Sequence, residues 1–125
     1  MEQKKILLVA DDPDLSFVYE AILTSKGYIV TATDITKLEN HIKKGLFNLA
    51  LIDIDDDENN NLPNVLHLIK RTKPGIPVIS LTLVDEISID TNEESHEKVD
   101  LFLEKPINPD SLTDAIDDIL SKEIE

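Results

Sequence analysis

Short apolar runs alternate along the chain with stretches in which apolar residues recur at helical spacing. The short runs predict five strands, at residues 6–9, 28–32, 49–54, 78–81 and 101–103. Runs that are apolar throughout are typical of strands buried on both faces, and their alternation with helices is typical of a parallel sheet with helices on both sides. The pattern therefore predicts a doubly wound, five-stranded α/β domain.

The first predicted helix lies between two residues that favour helix ends. Asp14 can accept hydrogen bonds from the free N–H groups of a first helical turn, so we predict that it caps this helix. Gly27 suits the left-handed conformation in which helices often end. We expect four residues at helical spacing to face the sheet: Leu15, Val18, Ile22 and Leu23.

Three further helices are predicted from similar signals. A second helix is expected to end at Gly45, and Pro63 is expected to begin a third one that ends in a turn at residues 73–75. The pair Asn108 and Pro109 is a strong start for the last helix, because Asn is a good cap and Pro suits the first helical position.

The segment Asp85–Lys98 differs in composition from the rest of the chain. Its large apolar residues are Ile87 and Ile89, and it contains a run of acidic residues. A helix formed by this segment would have little to bury, so we expect it to be short or mobile. Its acidity is typical of a solvated face and would also suit a basic partner.

Composition limits the class of protein. A length of 125 residues predicts a single domain over residues 1–125, and 41% apolar with 30% charged residues is typical of globular proteins. A formal net charge of -14 argues against direct binding to nucleic acid, because no basic face would neutralise phosphates. The chain contains no cysteine and no apolar run near the roughly 20 residues of a membrane-spanning helix. We therefore expect a cytoplasmic protein without a membrane segment.

Polar residues follow four of the five predicted strands. Asp11 and Asp12 follow the first strand, Asp53 ends the third, Thr82 follows the fourth and Lys105 follows the fifth. Because the carboxyl ends of parallel strands meet at one edge of the sheet, we expect these side chains to share a site. The three carboxylates would repel one another unless a cation such as Mg²⁺ neutralised them, and Lys105 could pair with a phosphoryl group.

Four segments around these residues resemble the strand motifs of the response-regulator receiver family. They are KKILLVADDPDL, LALIDID, PVISLT and LFLEKPI, and the resemblance extends over nearly the whole chain. It implies a flavodoxin-like (βα)5 receiver fold and a role in two-component signalling. A histidine kinase or phosphotransfer protein would be the phosphoryl donor, and a downstream effector protein would read the signal. The resemblance is also compatible with a homodimer.

The resemblance implies a role for each matching residue. It makes Asp53 the phosphoacceptor and Asp11 a Mg²⁺ ligand, with the main-chain carbonyl of Asp55 as a further ligand. Thr82 would be the hydroxyl that contacts the phosphoryl group and switches position, and Lys105 would bind the same group. Enzymatic activity beyond self-catalysed transfer onto Asp53 is not implied.

Activation and output are also implied by the resemblance. Phe102 matches the aromatic residue whose ring moves on activation. The surface formed by the segment Asp85–Lys98, the fifth strand and the last helix is the face through which the family commonly signals. We expect the acidic segment to contribute to partner recognition there.

Two departures from the family pattern leave the function open between alternatives. Ala10 stands where an acidic residue is usual, and Leu83 replaces the small residue that usually follows the switch hydroxyl. A pseudo-receiver that binds a partner without being phosphorylated would use the same fold. A flavodoxin-like nucleotide binder is less favoured, because no glycine-rich loop follows the first strand.

Overall fold

Five parallel strands form one sheet in the computed structural model, which describes residues 3–54, 61–82, 99–105 and 107–122. The strands are β1 (Lys5–Ala10), β2 (Ile29–Thr33), β3 (Leu49–Asp53), β4 (Val78–Thr82) and β5 (Leu101–Glu104). Their order across the sheet is β2-β1-β3-β4-β5. The doubly wound α/β architecture is confirmed, and each predicted strand lies within one residue of its observed bounds.

Four α-helices connect or follow these strands in the described ranges. They are α1 (Pro13–Ser25), α2 (Leu38–Lys44), α3 (Asn61–Thr72) and α4 (Pro109–Lys122), with a short 3₁₀ turn at Ile35–Lys37. None of the helices described here is long and apolar enough to cross a membrane. The predicted acidic segment, residues 85–98, and Leu83 lie outside the described residues.

The start of α3 differs from the prediction by two residues. The helix begins at Asn61, so Pro63 is its third residue and not its first. A proline is tolerated there because the N–H groups of the first turn have no partner within the helix. The end of α2 at Gly45 and the cap of α4 by Asn108 are confirmed, and Asn108 Oδ1 accepts a hydrogen bond from the N–H of Asp110 at 2.8 Å.

The cap of α1 is Asp12, so the prediction of Asp14 was wrong. Asp12 Oδ1 accepts hydrogen bonds from the N–H groups of Asp14 at 2.9 Å and Leu15 at 3.4 Å. Pro13 then occupies the first helical position, where its fixed backbone angle suits the helix. Asp14 lies in the first turn. Gly27, with φ 95°, follows the end of the helix as predicted.

Replacing Asp12 with alanine is expected to lower the free energy of unfolding by about 1 kcal/mol, because the cap hydrogen bonds are lost. Asp12→Asn should cost little, since asparagine caps as well as aspartate. Asp14→Ala is the matched control and should have the smaller effect, and urea denaturation measures all three. A larger loss in Asp14→Ala than in Asp12→Ala would show that Asp12 is not the cap.

The face of α1 that packs on the sheet is rotated relative to the prediction. Tyr19 and Leu23, four residues apart, are the buried residues of this helix. Leu15 is 38% exposed and Val18 is 48% exposed. The predicted inward face was therefore wrong at these two positions, and Tyr19 takes the place of an aliphatic core residue.

Two hydrophobic cores cover the two faces of the sheet. Alternate residues of β3 belong to different cores: Leu49 and Leu51 pack with α1 and α4, whereas Ala50 and Ile52 pack with α2 and α3. Since side chains alternate along a strand, Asp53 is on the same face of the sheet as Leu51. This places its carboxylate on the side covered by α1.

Candidate functional site

The candidate site lies where the order of the strands reverses. From β1 the chain proceeds outward to β2 on one side, and it then continues from β3 to β5 on the other. A crevice forms at such a point, beyond the carboxyl ends of the strands. Ala10 at the end of β1 is paired with Asp53 at the end of β3, and Thr82 is paired with Glu104. Lys105 directly follows Glu104, so the predicted residues converge on this edge.

Asp53 and Lys105 form an ion pair at the centre of this edge. Lys105 Nζ donates a hydrogen bond to Asp53 Oδ1 at 2.6 Å. The Asp53 side chain is 3% exposed and that of Lys105 is 16% exposed. A buried carboxylate requires such a partner, because desolvation of an unpaired charge is costly. Asp53 and Lys105, which are 52 residues apart in the sequence, are therefore in direct contact.

Tyr19 contacts the second oxygen of the same carboxylate. Its hydroxyl donates a hydrogen bond to Asp53 Oδ2 at 2.7 Å, and the residue is 5% exposed. Burial raises the pKa of Tyr19 far above its ordinary value, and the hydrogen bond to Asp53 and the charges of Asp53 and Asp12 raise it further. The phenol therefore stays protonated and acts as a donor to Asp53.

Sequence reasoning did not include Tyr19 in the site. The signal was its position: Leu15, Tyr19 and Leu23 are spaced by four residues, so Tyr19 shares a helix face with a buried leucine. A tyrosine on a buried face needs a partner for its hydroxyl. An acid at the end of a neighbouring strand on that face of the sheet is such a partner.

The other predicted metal ligands that the structure describes are not buried beside Asp53 in one compact group. Asp11 and Asp12 follow β1 and are exposed, and Asp12 uses Oδ1 to cap α1. Among the residues that the structure describes, no three acidic or histidine side chains are grouped for a metal ion. Asp55 lies outside the described residues. Mg²⁺ is commonly held by one or two carboxylates and several waters, so Asp53 with an acid after β1 supplies a suitable donor set.

The predicted switch residues lie on β4 and β5. Thr82 is the last residue of β4. Phe102 is half-buried and is paired with Ser80 across the two strands. The hydroxyl of Ser80 is buried without a hydrogen-bond partner. Thr82 thus ends β4 at the same edge of the sheet as Asp53, and Phe102 lies two residues before the end of β5, while their roles in switching stay predictions.

Known proteins resemble this chain in sequence. Residues 6–117 match the model of the response regulator receiver domain. The chain is 35% identical over 118 residues to the transcriptional regulatory protein GlrR of Escherichia coli (strain K12), covering 94% of this chain and 26% of GlrR. The chain therefore spans about a quarter of the length of that relative.

Solved structures resemble it in fold. A response regulator receiver domain protein of Methanospirillum hungatei JF-1 is 27% identical with a TM-score of 0.80, covering 97% of this chain and 96% of that one. The response regulator protein TrrA of Thermotoga maritima, in complex with Mg²⁺-BeF, is 22% identical with a TM-score of 0.76. The match covers 93% of this chain and 98% of the TrrA chain. Because the family model matches most of its length, the chain belongs to the response regulator receiver domain family.

Proposed function

We propose that the chain is a phosphoacceptor receiver domain in which Asp53 accepts a phosphoryl group in the presence of Mg²⁺. The observation on which this proposal depends is the buried Asp53 carboxylate at the switch point of the sheet, held by Lys105 at 2.6 Å. A nucleophile for phosphoryl transfer has to be ionised and oriented. The ion pair orients the carboxylate, because the Lys105 ammonium donates to Oδ1 at 2.6 Å.

The residues around Asp53 would perform the transfer mainly by positioning and by charge. An oxygen of Asp53 forms a bond to phosphorus, while the bond between phosphorus and the donor breaks and its electron pair stays on the donor. Lys105 is close enough to Asp53 Oδ1 to neutralise negative charge on a transferred group. The chain thereby promotes its own modification and needs no other enzymatic activity.

Mg²⁺ is the cofactor that we propose, with Asp53, Asp11, Asp12 and the Asp55 carbonyl as candidate ligands. When bound, the ion would offset the negative charge of these groups and of a phosphoryl group. TrrA, a relative in fold, has been crystallised with Mg²⁺-BeF. The exposed positions of Asp11 and Asp12 beside a buried Asp53 would allow a hydrated ion to be held from the solvent side.

The output that we propose is a conformational switch that involves Thr82 and Phe102. Thr82 ends the strand next to Lys105, and Phe102 is incompletely buried on β5. A histidine kinase or phosphotransfer protein is the proposed donor, a downstream effector is the proposed reader, and the cytoplasm is the proposed compartment. The acidic segment Asp85–Lys98, outside the described residues, completes the proposed output face.

A pseudo-receiver is the second candidate, and one observation favours it. Both oxygens of Asp53 are already hydrogen-bonded by side chains of the chain itself, Oδ1 by Lys105 and Oδ2 by Tyr19. A buried carboxylate satisfied in this way is stable without a metal ion. Such a domain would bind its partner in a single state.

Intact-mass spectrometry after incubation with acetyl phosphate and Mg²⁺ distinguishes the two candidates. We expect the protein to gain one phosphoryl group, and we expect Asp53→Asn to gain none. Asp117→Asn, which changes an exposed aspartate on α4, is the matched control and should be modified like the unaltered chain. Failure of the folded, unaltered protein to gain the group would favour the pseudo-receiver.

The same assay tests the metal ligands. Omission of Mg²⁺ should slow the modification, and Asp12→Asn should weaken the response to Mg²⁺ while it keeps the cap of α1. Equal rates with and without Mg²⁺ would contradict the proposed cofactor.

A further inference from the structure

Tyr19 gives this site a feature that its assignment as a receiver domain leaves unexplained. The phenol hydroxyl and the ammonium of Lys105 occupy different oxygens of Asp53, at 2.7 Å and 2.6 Å. Asp53 is thus held from α1 on one side and from the end of β5 on the other. Tyr19 is 5% exposed and belongs to the same hydrophobic core as Leu23 and Leu51, so its ring has little freedom.

The helix that carries Tyr19 is capped at its start and packs on the sheet. Asp12 caps its first turn and Leu23 packs in the core one helical turn after Tyr19. The hydroxyl therefore reaches Asp53 from a helix that packs on the sheet. The hydroxyl donates its hydrogen bond to Asp53 Oδ2, so toward the carboxylate the group acts as a donor.

Ala10 is the neighbour of Asp53 on β1, and its side chain cannot hydrogen-bond to Asp53 Oδ2. Ala10 is paired with Asp53 across β1 and β3, and it is 6% exposed. Since Ala10 has no polar atom in its side chain, it neither repels Asp53 nor donates to it. The neutral hydroxyl of Tyr19 instead satisfies Oδ2, and the carboxylate needs no further cation in this state.

We propose that Tyr19 is a positioning residue that holds Asp53 in a resting orientation, and that the Asp53 carboxylate turns its Oδ2 away from the Tyr19 hydroxyl when Mg²⁺ binds. This inference rests on the proposed function, because the ion that competes with Tyr19 is the one that assists phosphoryl transfer. The hydroxyl stabilises the resting carboxylate. Its removal should therefore favour the metal-bound state.

Tyr19→Phe is expected to bind Mg²⁺ on the order of tenfold more tightly, because a hydrogen bond to a charged group no longer competes with the ion. Affinity is measured from the rise in melting temperature with Mg²⁺ concentration, which follows from preferential binding to the folded state. Tyr28→Phe is the matched control. It removes a hydroxyl from the other tyrosine of the chain, next to β2 at the far edge of the sheet, and should leave Mg²⁺ affinity unchanged.

The tyrosine content of the chain allows a direct observation of the switch. The sequence has two tyrosines and no tryptophan, so the fluorescence of Tyr28→Phe arises from Tyr19 alone. We expect its emission to change when Mg²⁺ is added, because a hydrogen bond to a carboxylate alters tyrosine emission. The double variant Tyr28→Phe, Asp53→Asn should show no such response. A purely structural role for Tyr19 would leave the emission insensitive to Mg²⁺ in both proteins.

The outcomes separate this inference from the proposed function. Tighter Mg²⁺ binding in Tyr19→Phe with a metal-sensitive Tyr19 emission supports the inference, whether or not acetyl phosphate modifies the protein. Mg²⁺ affinity that is equal or weaker in Tyr19→Phe, or undetectable in both proteins, overturns it. The absence of a phosphoryl mass in the unaltered chain and in Tyr19→Phe, with Mg²⁺ bound, overturns only the proposed function.

Discussion

Replacing Lys105 with alanine is expected to lower the free energy of unfolding by about 3 kcal/mol, because it leaves the buried carboxylate of Asp53 without its cation. The Asp53 side chain is 3% exposed, so water solvates the carboxylate poorly once the ammonium is lost. The cost should lie near the lower end for a broken buried pair, because Tyr19 still donates to Oδ2. Chemical denaturation with urea measures the loss.

A second substitution shows whether the cost comes from the uncompensated charge. Adding Asp53→Asn to Lys105→Ala removes that charge, so the double variant should be more stable than Lys105→Ala alone. Lys43→Ala is the matched control, because Lys43 pairs with Glu39 at 2.6 Å on the surface, where the two side chains are 59% and 54% exposed. Its loss of stability should be far smaller than that of Lys105→Ala, because water screens an exposed pair. A Lys105→Ala variant as stable as Lys43→Ala would show that the pair is not buried in solution.

The same variant should also lose phosphoryl acceptance under the conditions of the mass assay. Without Lys105, the Asp53 carboxylate loses the group that orients Oδ1, and no ammonium is available to a transferred phosphoryl group. Unchanged modification of a folded Lys105→Ala variant would exclude the role proposed for this lysine.

The presence of Asp53 and Lys105 at one edge of the sheet illustrates what a single sequence can predict, whereas their direct ion pair was not predicted. Both residues follow apolar runs, and a parallel sheet brings the ends of such runs to one edge. No information on angles or distances was needed, because the topology brings together residues that are far apart in sequence. The strands were predicted to within one residue because they coincide with the short apolar runs of the sequence.

The errors around α1 have a different cause. The spacing of Leu15, Val18 and Leu23 allows more than one inward face for a helix whose apolar residues are widely distributed. In the structure α1 is rotated so that Tyr19 is buried. Burial of its hydroxyl is possible because it donates a hydrogen bond to Asp53 at the end of β3. Helical periodicity alone does not contain that tertiary contact. The misplaced cap follows the same logic, since Asp12 and Asp14 are both suitable caps and Pro13 favours a start directly after Asp12.

Replacing Leu51 with alanine is expected to lower the free energy of unfolding by about 3 kcal/mol, because it removes buried methyl groups and leaves a cavity. Leu51 is 0% exposed in the central strand β3 and packs in the core with Tyr19 and Leu23. Leu51 packs between the sheet and α1, and these elements cannot move together fully, so the cavity would close only in part.

Leu46→Ala is the matched control, since Leu46 is 75% exposed and its truncation should change stability by no more than about 0.5 kcal/mol. The position of Leu51 adds a second readout. It precedes Asp53 by two residues on the same face, so a loosened core should give Tyr19 more freedom relative to Asp53. In a Tyr28→Phe background, the Tyr19 emission of Leu51→Ala is therefore expected to differ from that of the parent, while Leu46→Ala leaves it unchanged. A loss of stability in Leu51→Ala without any change in Tyr19 emission would show that α1 and the Asp53 carboxylate keep their contact independently of the core beneath them.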